Sequence, residues 1–127
     1  MKSDDQIKKE NGELYKVARE KGTEAPFSSK FLHTKENGTF ICAVCGQELF
    51  ASSSKFDSGT GWPSFDQAIE GSVKEIIDNS HSMNRTEVLC SKCNAHLGHV
   101  FNDGQTETGL RYCMNGVCLE LEKENKI

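Results

Sequence analysis

The chain has 127 residues, enough for one domain with a buried core and too few for two. Its 19 acidic residues outnumber its 15 basic ones, and the net charge of −4 excludes the basic footprint of nucleic-acid-binding proteins. The N-terminal MKSDDQIKKENGE lacks the apolar stretch of a signal peptide, and no run approaches the roughly 18 apolar residues of a membrane span. We expect one soluble, cytoplasmic, monomeric domain over residues 1–127, without nucleic-acid or membrane partners.

Residues 1–22 are predicted to form a helical extension in one or two pieces. Ser3 followed by Gln6 resembles a capping box. Four apolar residues recur at helical spacing: Ile7, Leu14, Val17 and Ala18. Gly12 is expected to interrupt the helix, and Gly22 is expected to follow its end.

The rest of the chain is predicted to be mainly β. From Gly38 onward, strand-like runs alternate with Gly, Asn, Asp and Ser: TFICAV, SVKEII, TEVLC, HVFN and GLRYCMN. The intervening FASSSKFDSGTGWPSF has few periodic apolar residues and contains the turn formers Gly59, Gly61 and Pro63. We predict that this stretch is a loop with one aromatic tip.

Four of the six cysteines form two C-x-x-C pairs, the spacing at which one turn directs two thiolates toward a tetrahedral zinc: Cys42, Cys45, Cys90 and Cys93. Gly46 and Asn94 follow the pairs and tolerate the positive φ that such turns need. Four cysteinates leave no open coordination position, so the sequence predicts one structural Zn²⁺ per chain that joins distant parts of the fold. The alternatives are a redox dithiol or disulfides.

The other two cysteines lie in RYCMNGVC, on either side of Asn115-Gly116. This dipeptide predicts a type I′ hairpin, whose register would place Cys113 directly opposite Cys118. A slightly compressed and therefore reducible disulfide is feasible there. Arg111 would share the face of Cys113 and favour its thiolate, which makes Cys113 the nucleophile candidate. The alternative is a pair of buried free thiols.

Several motifs together resemble the B-type methionine-R-sulfoxide reductases over nearly the whole chain: YKVAREKGTEAPFSSKF, CAVC, FDSGTGWPSF, SHSMNRTE, CSKC, AHLGHVFNDG and TGLRYCMN. The resemblance implies a zinc-stapled fold of two antiparallel sheets. It also implies that the RYC cysteine, Cys113, reduces methionine sulfoxide, free or within proteins, with a thioredoxin-like reductant. Such a reaction leaves a cysteine sulfenic acid.

Histidine titrates near neutral pH and can protonate the departing oxygen. The motifs SHSM and HLGHVF favour His81 and His99 for this role over His96, while His33 lies outside every motif and is expected to be structural. Asn115 matches a family active-site position but is equally interpretable as a turn residue.

The resemblance also implies an apolar substrate wall. The only tryptophan, Trp62, lies in WPSF, whose indole receives the substrate's methyl group in the family. Phe101, in HVF, is expected to line the same pocket. A plain core role for Trp62 is the alternative.

Two departures from the family pattern concern the recycling of the enzyme. Many members carry a resolving cysteine in SGCGWPSF, whereas this chain has Thr60 in that place. The tail often reads RYCxNSAS, and here the final small residue is Cys118. We hypothesise that Cys118 is a relocated resolving cysteine, the alternative being direct attack by an external thiol.

Two other functions compete with reductase activity. The same zinc-stapled fold could serve as a non-catalytic protein-interaction module. The chain could also be a dithiol electron carrier that uses Cys113 and Cys118. Such a carrier would act on thioredoxin-like partners instead of sulfoxides.

Overall fold

The computed structural model describes residues 1–79 and 85–123. Within these residues the chain forms two short α-helices followed by nine β-strands and two 3-10 turns. Nowhere in these ranges is there a helix with the length and apolar character needed to cross a membrane. His81 lies outside the described residues.

The N-terminal helical segment is confirmed as two pieces, α1 (Asp4–Glu10) and α2 (Gly12–Ala18). The Ser3 side chain caps α1 by accepting the Gln6 N–H at 3.2 Å. Asn11 separates the helices and caps α2, accepting the Leu14 N–H at 3.1 Å. The four predicted apolar residues are all buried: Ile7, Leu14, Val17 and Ala18. The helices therefore pack their apolar faces on the β body.

The strands form two antiparallel sheets, as the resemblance implied. The smaller sheet has the order β2-β1-β9, made of Glu48–Ala51, Gly38–Cys42 and Leu119–Lys123. The larger sheet has the order β3-β4-β8-β7-β6-β5, made of Lys55–Phe56, Ser64–Phe65, Arg111–Met114, His96–Phe101, Arg85–Cys90 and Val73–Asp78. All five strand-like runs of the sequence contribute a strand.

The predicted loop around Trp62 is shorter than expected. A 3-10 turn (Ser52–Ser54) and the two-residue strands β3 and β4 occupy parts of the stretch, and β4 pairs with β8. Gly59 and Gly61 have φ values of 78° and 93°, as turn residues do. The loop thus begins after β3 and returns the chain beside Cys113.

Aromatic side chains fill the space between the sheets. Phe40 of β1, Phe50 of β2 and Phe65 of β4 are each fully buried. The Phe65 ring stacks on Phe50 with a centroid separation of 4.3 Å and meets Phe40 edge-on at 5.1 Å. Burying each such side chain contributes roughly 1.5–3 kcal/mol. These contacts fix which face of β4 and β8 points away from the core, and Ser64 and Cys113 are paired on that face.

The predicted hairpin at Asn115-Gly116 is wrong. Strand β8 pairs with β4 and β7, whereas β9 pairs with β1 in the other sheet. Asn115 has a φ of −79°, and Gly116–Cys118 form a 3-10 turn instead of a type I′ turn. Cys113 therefore lies opposite His99 and Ser64, and not opposite Cys118.

Long-range packing explains this outcome. A methyl group on Gly116 would overlap the side chain of Ser29 and touch the carboxylate of Glu24. Glycine is therefore needed here for close approach and not for a positive φ. The local preference of Asn-Gly for a hairpin is overridden by residues about 90 positions earlier in the chain.

Candidate active site and metal centre

The four C-x-x-C sulfurs converge on one point. The Sγ atoms of the four residues all lie within 4.8 Å of one another: Cys42, Cys45, Cys90 and Cys93. The Sγ atoms of Cys42 and Cys93 are 3.7 Å apart, and those of Cys45 and Cys90 are 3.6 Å apart. Sulfurs bound at about 2.3 Å around a tetrahedral zinc lie about 3.8 Å apart, so the spacing fits a Zn(Cys)4 centre.

Both halves of the metal centre are built from the same turn. Gly46 N donates to Cys42 O at 2.8 Å, and Asn94 N donates to Cys90 O at 2.9 Å. Gly46 and Asn94 have φ values of 81° and 62°, as their positions predicted. The first turn joins β1 to β2 in the smaller sheet and the second joins β6 to β7 in the larger sheet. A metal held here cross-links the two sheets.

The chemistry of the four thiols also fits a cation. Hydrogen bonding to the Cys90 and Cys93 sulfurs, together with burial, raises the pKa of the Cys42 thiol far above its usual range. Four thiolates can therefore coexist at neutral pH only when a cation balances their charge. The donor set leaves no position for substrate, so such a metal is structural.

A cleft of about 420 Å³ lies on the outer face of the larger sheet. Eight residues line it: Thr23, Trp62, Arg85, Gly98, His99, Phe101, Cys113 and Asn115. The cleft brings together five of the residues predicted for the site: Cys113, His99, Asn115, Trp62 and Phe101. The predicted aromatic wall and the predicted nucleophile therefore share one cavity.

Cys113 lies in β8 directly opposite His99 of β7. A methyl group on Gly98 would overlap the Cys113 carbonyl oxygen, so only glycine permits this close approach of the two strands. Gly98 thus explains why the histidine and the thiol can meet on one face. Directly opposed residues in an antiparallel pair have Cβ atoms about 4.5–5.5 Å apart.

The Cys113 thiol experiences opposing influences. Burial raises its pKa above the ordinary value, while the charge of Arg111 and hydrogen bonds from Thr60 and Arg111 lower it. The net direction is upward. Arg111 does share the face of Cys113 and favours its thiolate, as predicted, but burial is the larger effect. In the absence of substrate, Cys113 is therefore mainly in its protonated thiol form at neutral pH.

Thr60 occupies the position of the family's resolving cysteine and contacts the nucleophile candidate. Its hydroxyl is within hydrogen-bonding distance of Ser58 Oγ, at 2.8 Å, and Ser58 Oγ in turn lies 2.7 Å from Ser64 Oγ. Ser64 is fully buried and pairs with Cys113 across β4 and β8. A chain of hydroxyl groups therefore holds Thr60 against the Cys113 sulfur.

His99 is oriented by a carboxylate. Its Nε2 lies 3.0 Å from Asp78 Oδ2 at the end of β5, and the same oxygen accepts from Arg85 at 3.3 Å. A histidine bonded to a carboxylate keeps one ring nitrogen fixed and can present a proton at a defined place. The contact with Asp78 therefore fixes the orientation of the His99 ring within the cleft.

Trp62 and Asn115 are held by the same buried residue, Glu24, which is 5% exposed. The indole Nε1 donates to Glu24 O at 3.0 Å, and Glu24 N donates to Asn115 Oδ1 at 2.9 Å. The Glu24 carboxylate accepts the N–H groups of Gly116 and Val117 at 2.6 Å and 3.1 Å. Burial raises the pKa of Glu24 in spite of these two bonds. Glu24 thus fixes both cleft side chains.

Asn115 is a buried part of the cleft wall and not a hairpin residue. Besides accepting from Glu24, it donates from Nδ2 to Leu97 O at 3.0 Å.

Phe101 is covered by the Arg111 guanidinium, whose carbon lies 4.4 Å from the ring centroid. Two hydrogen bonds to Asp103, at 2.8 Å and 3.1 Å, orient Arg111. Arg111 thereby packs on Phe101, a residue of the cleft lining.

The remaining predicted residues lie apart from the reactive face. His96 is buried, with Nδ1 2.7 Å from Glu87, and burial lowers its pKa, so it is a neutral structural histidine. His33 is exposed and lies 3.5 Å from Asp57. Cys118 is buried in the core with its thiol donating to His96 O at 3.4 Å.

Sequence reasoning missed several residues that shape the cleft: Thr23, Glu24, Asp78, Arg85 and Gly98. All but Asp78 lie inside the motifs that carry the family resemblance, so their position was visible. Their roles depend on contacts between distant segments, which no local pattern reveals.

Comparison with known proteins agrees with the geometry. The SelR domain matches residues 11–123. A protein named peptide methionine sulfoxide reductase MsrB from Leptospira interrogans is 52% identical over 125 residues, which cover 97% of this chain and 95% of that protein.

Two further relatives carry the same name. The one from Pseudomonas savastanoi is 60% identical over 108 residues, covering 84% of this chain and 82% of its own length. The one from Bradyrhizobium diazoefficiens is 56% identical over 124 residues, covering 96% and 89%. The match extends over the cleft and the four clustered cysteines alike, and the chain belongs to this SelR-domain family of peptide methionine sulfoxide reductases.

Proposed function

We propose that this chain reduces the R epimer of methionine sulfoxide to methionine, with Cys113 as the nucleophile. The observation that supports this most strongly is the placement of Cys113 directly opposite His99, inside a cleft that also contains Trp62. The cleft offers a thiol, an oriented proton donor and an apolar wall. The thiol can attack the sulfoxide sulfur, the proton donor can protonate the sulfoxide oxygen, and the apolar wall can hold the methyl group.

The chemistry begins with attack of the Cys113 thiolate on the sulfoxide sulfur. His99, fixed by Asp78, gives a proton to the sulfoxide oxygen as its bond to sulfur breaks. The oxygen then migrates to the Cys113 sulfur as the transient bond between the two sulfurs breaks, so methionine leaves and the cysteine becomes a sulfenic acid. The substrate sulfur gains two electrons, and the Cys113 sulfur loses them.

Arg111 and Thr60 promote the attack. Both lower the pKa of Cys113, whereas burial raises it. Each of them therefore increases the fraction of Cys113 that is present as the attacking thiolate.

Two thiols must then return Cys113 to its reduced form, releasing water and a disulfide. The sequence predicted that Cys118 supplies one of these thiols. That prediction depended on a hairpin that does not form. Cys118 lies in the core, where burial raises its pKa well above the usual range. We therefore propose the other route, direct attack on the sulfenic acid by an external thiol of a thioredoxin-like or small-molecule reductant.

The metal that the cysteine cluster fits is Zn²⁺, held by four ligands: Cys42, Cys45, Cys90 and Cys93. Its role is to join the two sheets. We place the activity in the cytoplasm and in a monomer, because thiol-dependent turnover needs a reducing compartment and one chain contains the whole cleft.

The decisive experiment is steady-state turnover of separated R and S epimers of N-acetyl-methionine sulfoxide with dithiothreitol. We expect activity on the R epimer alone and its complete loss in Cys113→Ser, which retains the fold and the metal. A non-catalytic interaction module predicts no turnover of either epimer, and that result would overturn the proposal.

A further inference from the structure

Phe27 combines two features that oppose stability. It is 70% exposed, the largest exposure of any aromatic among the described residues, and its φ of 63° is left-handed. A bulky side chain in this region of φ costs roughly 1–2 kcal/mol. Exposing the ring also forfeits the burial that aromatic residues normally provide. Backbone outliers of this kind concentrate at ligand-binding positions.

The segment that carries Phe27 is firmly attached to the cleft. Thr23 lines the cavity, and Glu24 bonds to Trp62 and Asn115 as described above. At the other end, Phe27 N donates to Gly61 O at 2.7 Å. The segment is therefore anchored at both ends to the walls of the cleft, and the exposure of Phe27 is not the result of a loose loop.

The Phe27 ring lies beside the loop that presents Trp62. A methyl group on Gly61 would come within 3.1 Å of the ring, so the ring rests directly on the backbone of this glycine. Gly61 immediately precedes Trp62 and follows Thr60, which touches Cys113. Phe27 is thus an exposed aromatic surface at the rim of the cleft, outside its lining.

We propose that Phe27 binds apolar side chains that flank the methionine sulfoxide in a polypeptide substrate. This inference rests on the proposed function. The proposed function places one methionine sulfoxide side chain in the cleft, so the neighbouring residues of a polypeptide substrate must lie across its rim. The hydrogen bond from Phe27 N to Gly61 O already positions the aromatic ring, which lowers the ordering cost of binding.

The test compares three substrates: a peptide with the R-sulfoxide between leucines, the same peptide with glycine neighbours, and N-acetyl-methionine-R-sulfoxide. The variants are Phe27→Ala and the control Ile77→Ala. Ile77 is 76% exposed on β5, and its side chain points to the face opposite that of Asp78. Alanine keeps the backbone constraint at position 27.

For Phe27→Ala we expect about a fivefold to tenfold higher KM for the leucine peptide only, with kcat unchanged. The acetylated amino acid and the glycine peptide keep their kinetic constants, which also shows that the variant is folded. Ile77→Ala should match wild type on all three substrates. Equal losses on all substrates, or none on the leucine peptide, would overturn the role of Phe27. Inactivity of the wild-type protein on every substrate would instead overturn the proposed function.

Discussion

His99 and Cys113 are direct cross-strand partners in the β7–β8 register, with side chains on the same face of the sheet. This pairing requires a close approach of β7 and β8. Gly98 permits it, because no side chain would fit at that position. The pairing places the two residues that we propose as proton donor and nucleophile on strands, which position side chains more accurately than loops do.

Replacing His99 by glutamine tests this relationship. We expect His99→Gln to lower the rate of sulfoxide reduction by roughly 10²–10⁴, because an amide hydrogen-bonds but cannot release a proton at neutral pH. Release of methionine in a single turnover measures the effect. His33→Gln is the matched control, since His33 is exposed and outside the cleft. Equal activity of both variants would remove His99 from the chemistry.

The pH dependence should reflect the raised pKa of Cys113. Because burial raises this pKa, the thiolate fraction is small at neutral pH and grows as pH rises toward it. We expect kcat/KM and the rate of Cys113 alkylation by iodoacetamide to increase with pH, then level off. Arg111→Met should move both profiles to higher pH, and Arg111→Lys should move them less. A profile that is flat from pH 6 to 9 contradicts this account.

The fate of the sulfenic acid can be decided without reductant. We expect wild-type protein given excess sulfoxide to release one methionine and accumulate a trappable sulfenic acid on Cys113, because Cys118 lies within the core. Cys118→Ala should behave in the same way. Thr60→Cys is the positive control, since Thr60 contacts Cys113 and a thiol there should form an intramolecular disulfide. A Cys113–Cys118 disulfide in the wild type would restore the resolver hypothesis.

Glu24 is expected to control the geometry of the cleft. In Glu24→Gln, one of the Gly116 and Val117 N–H groups would face an amide donor, at a cost of about 1–3 kcal/mol. We expect a higher KM and a shifted fluorescence emission from Trp62, the only tryptophan. Glu24→Asp keeps the carboxylate and should recover part of both. The control is Glu48→Gln, an exposed residue of β2.

Loss of a zinc ligand should affect folding more than chemistry. Structural zinc contributes about 10–16 kcal/mol in zinc-finger peptides, comparable to the roughly 5–15 kcal/mol that stabilise a whole domain. We expect Cys45→Ser to bind no zinc and to be largely unfolded by circular dichroism. Cys113→Ser, at a cysteine outside the cluster, should retain one zinc and its melting temperature. A well-folded, zinc-free wild-type protein would argue against the metal centre.

Local sequence signals predicted the parts of the fold that local interactions determine. Ser3 caps its helix, Gly46 and Asn94 complete their turns, and the strand-like runs are strands. The four clustered cysteines were identifiable because the C-x-x-C turn is itself local. The resemblance supplied what these patterns did not, namely the division into two sheets.

The hairpin shows where local reasoning fails. Asn115-Gly116 has the composition of a type I′ turn, but its glycine is required by the side chains of Ser29 and Glu24. The Glu24 carboxylate also binds the Gly116 N–H and thereby stabilises the 3-10 turn. No window of neighbouring residues contains this information, because the partners are distant in the sequence.

The six cysteines differ in how accessible their sulfur atoms are to oxidants. Four are gathered where a metal would shield their sulfurs, and Cys118 is enclosed by the core. Cys113 is left as the thiol that a peroxide or a sulfoxide can approach through the cleft. A protein that repairs oxidised methionine meets the oxidants that cause the damage, and here the cysteines of the cluster and of the core are kept apart from the one cysteine that lines the cleft.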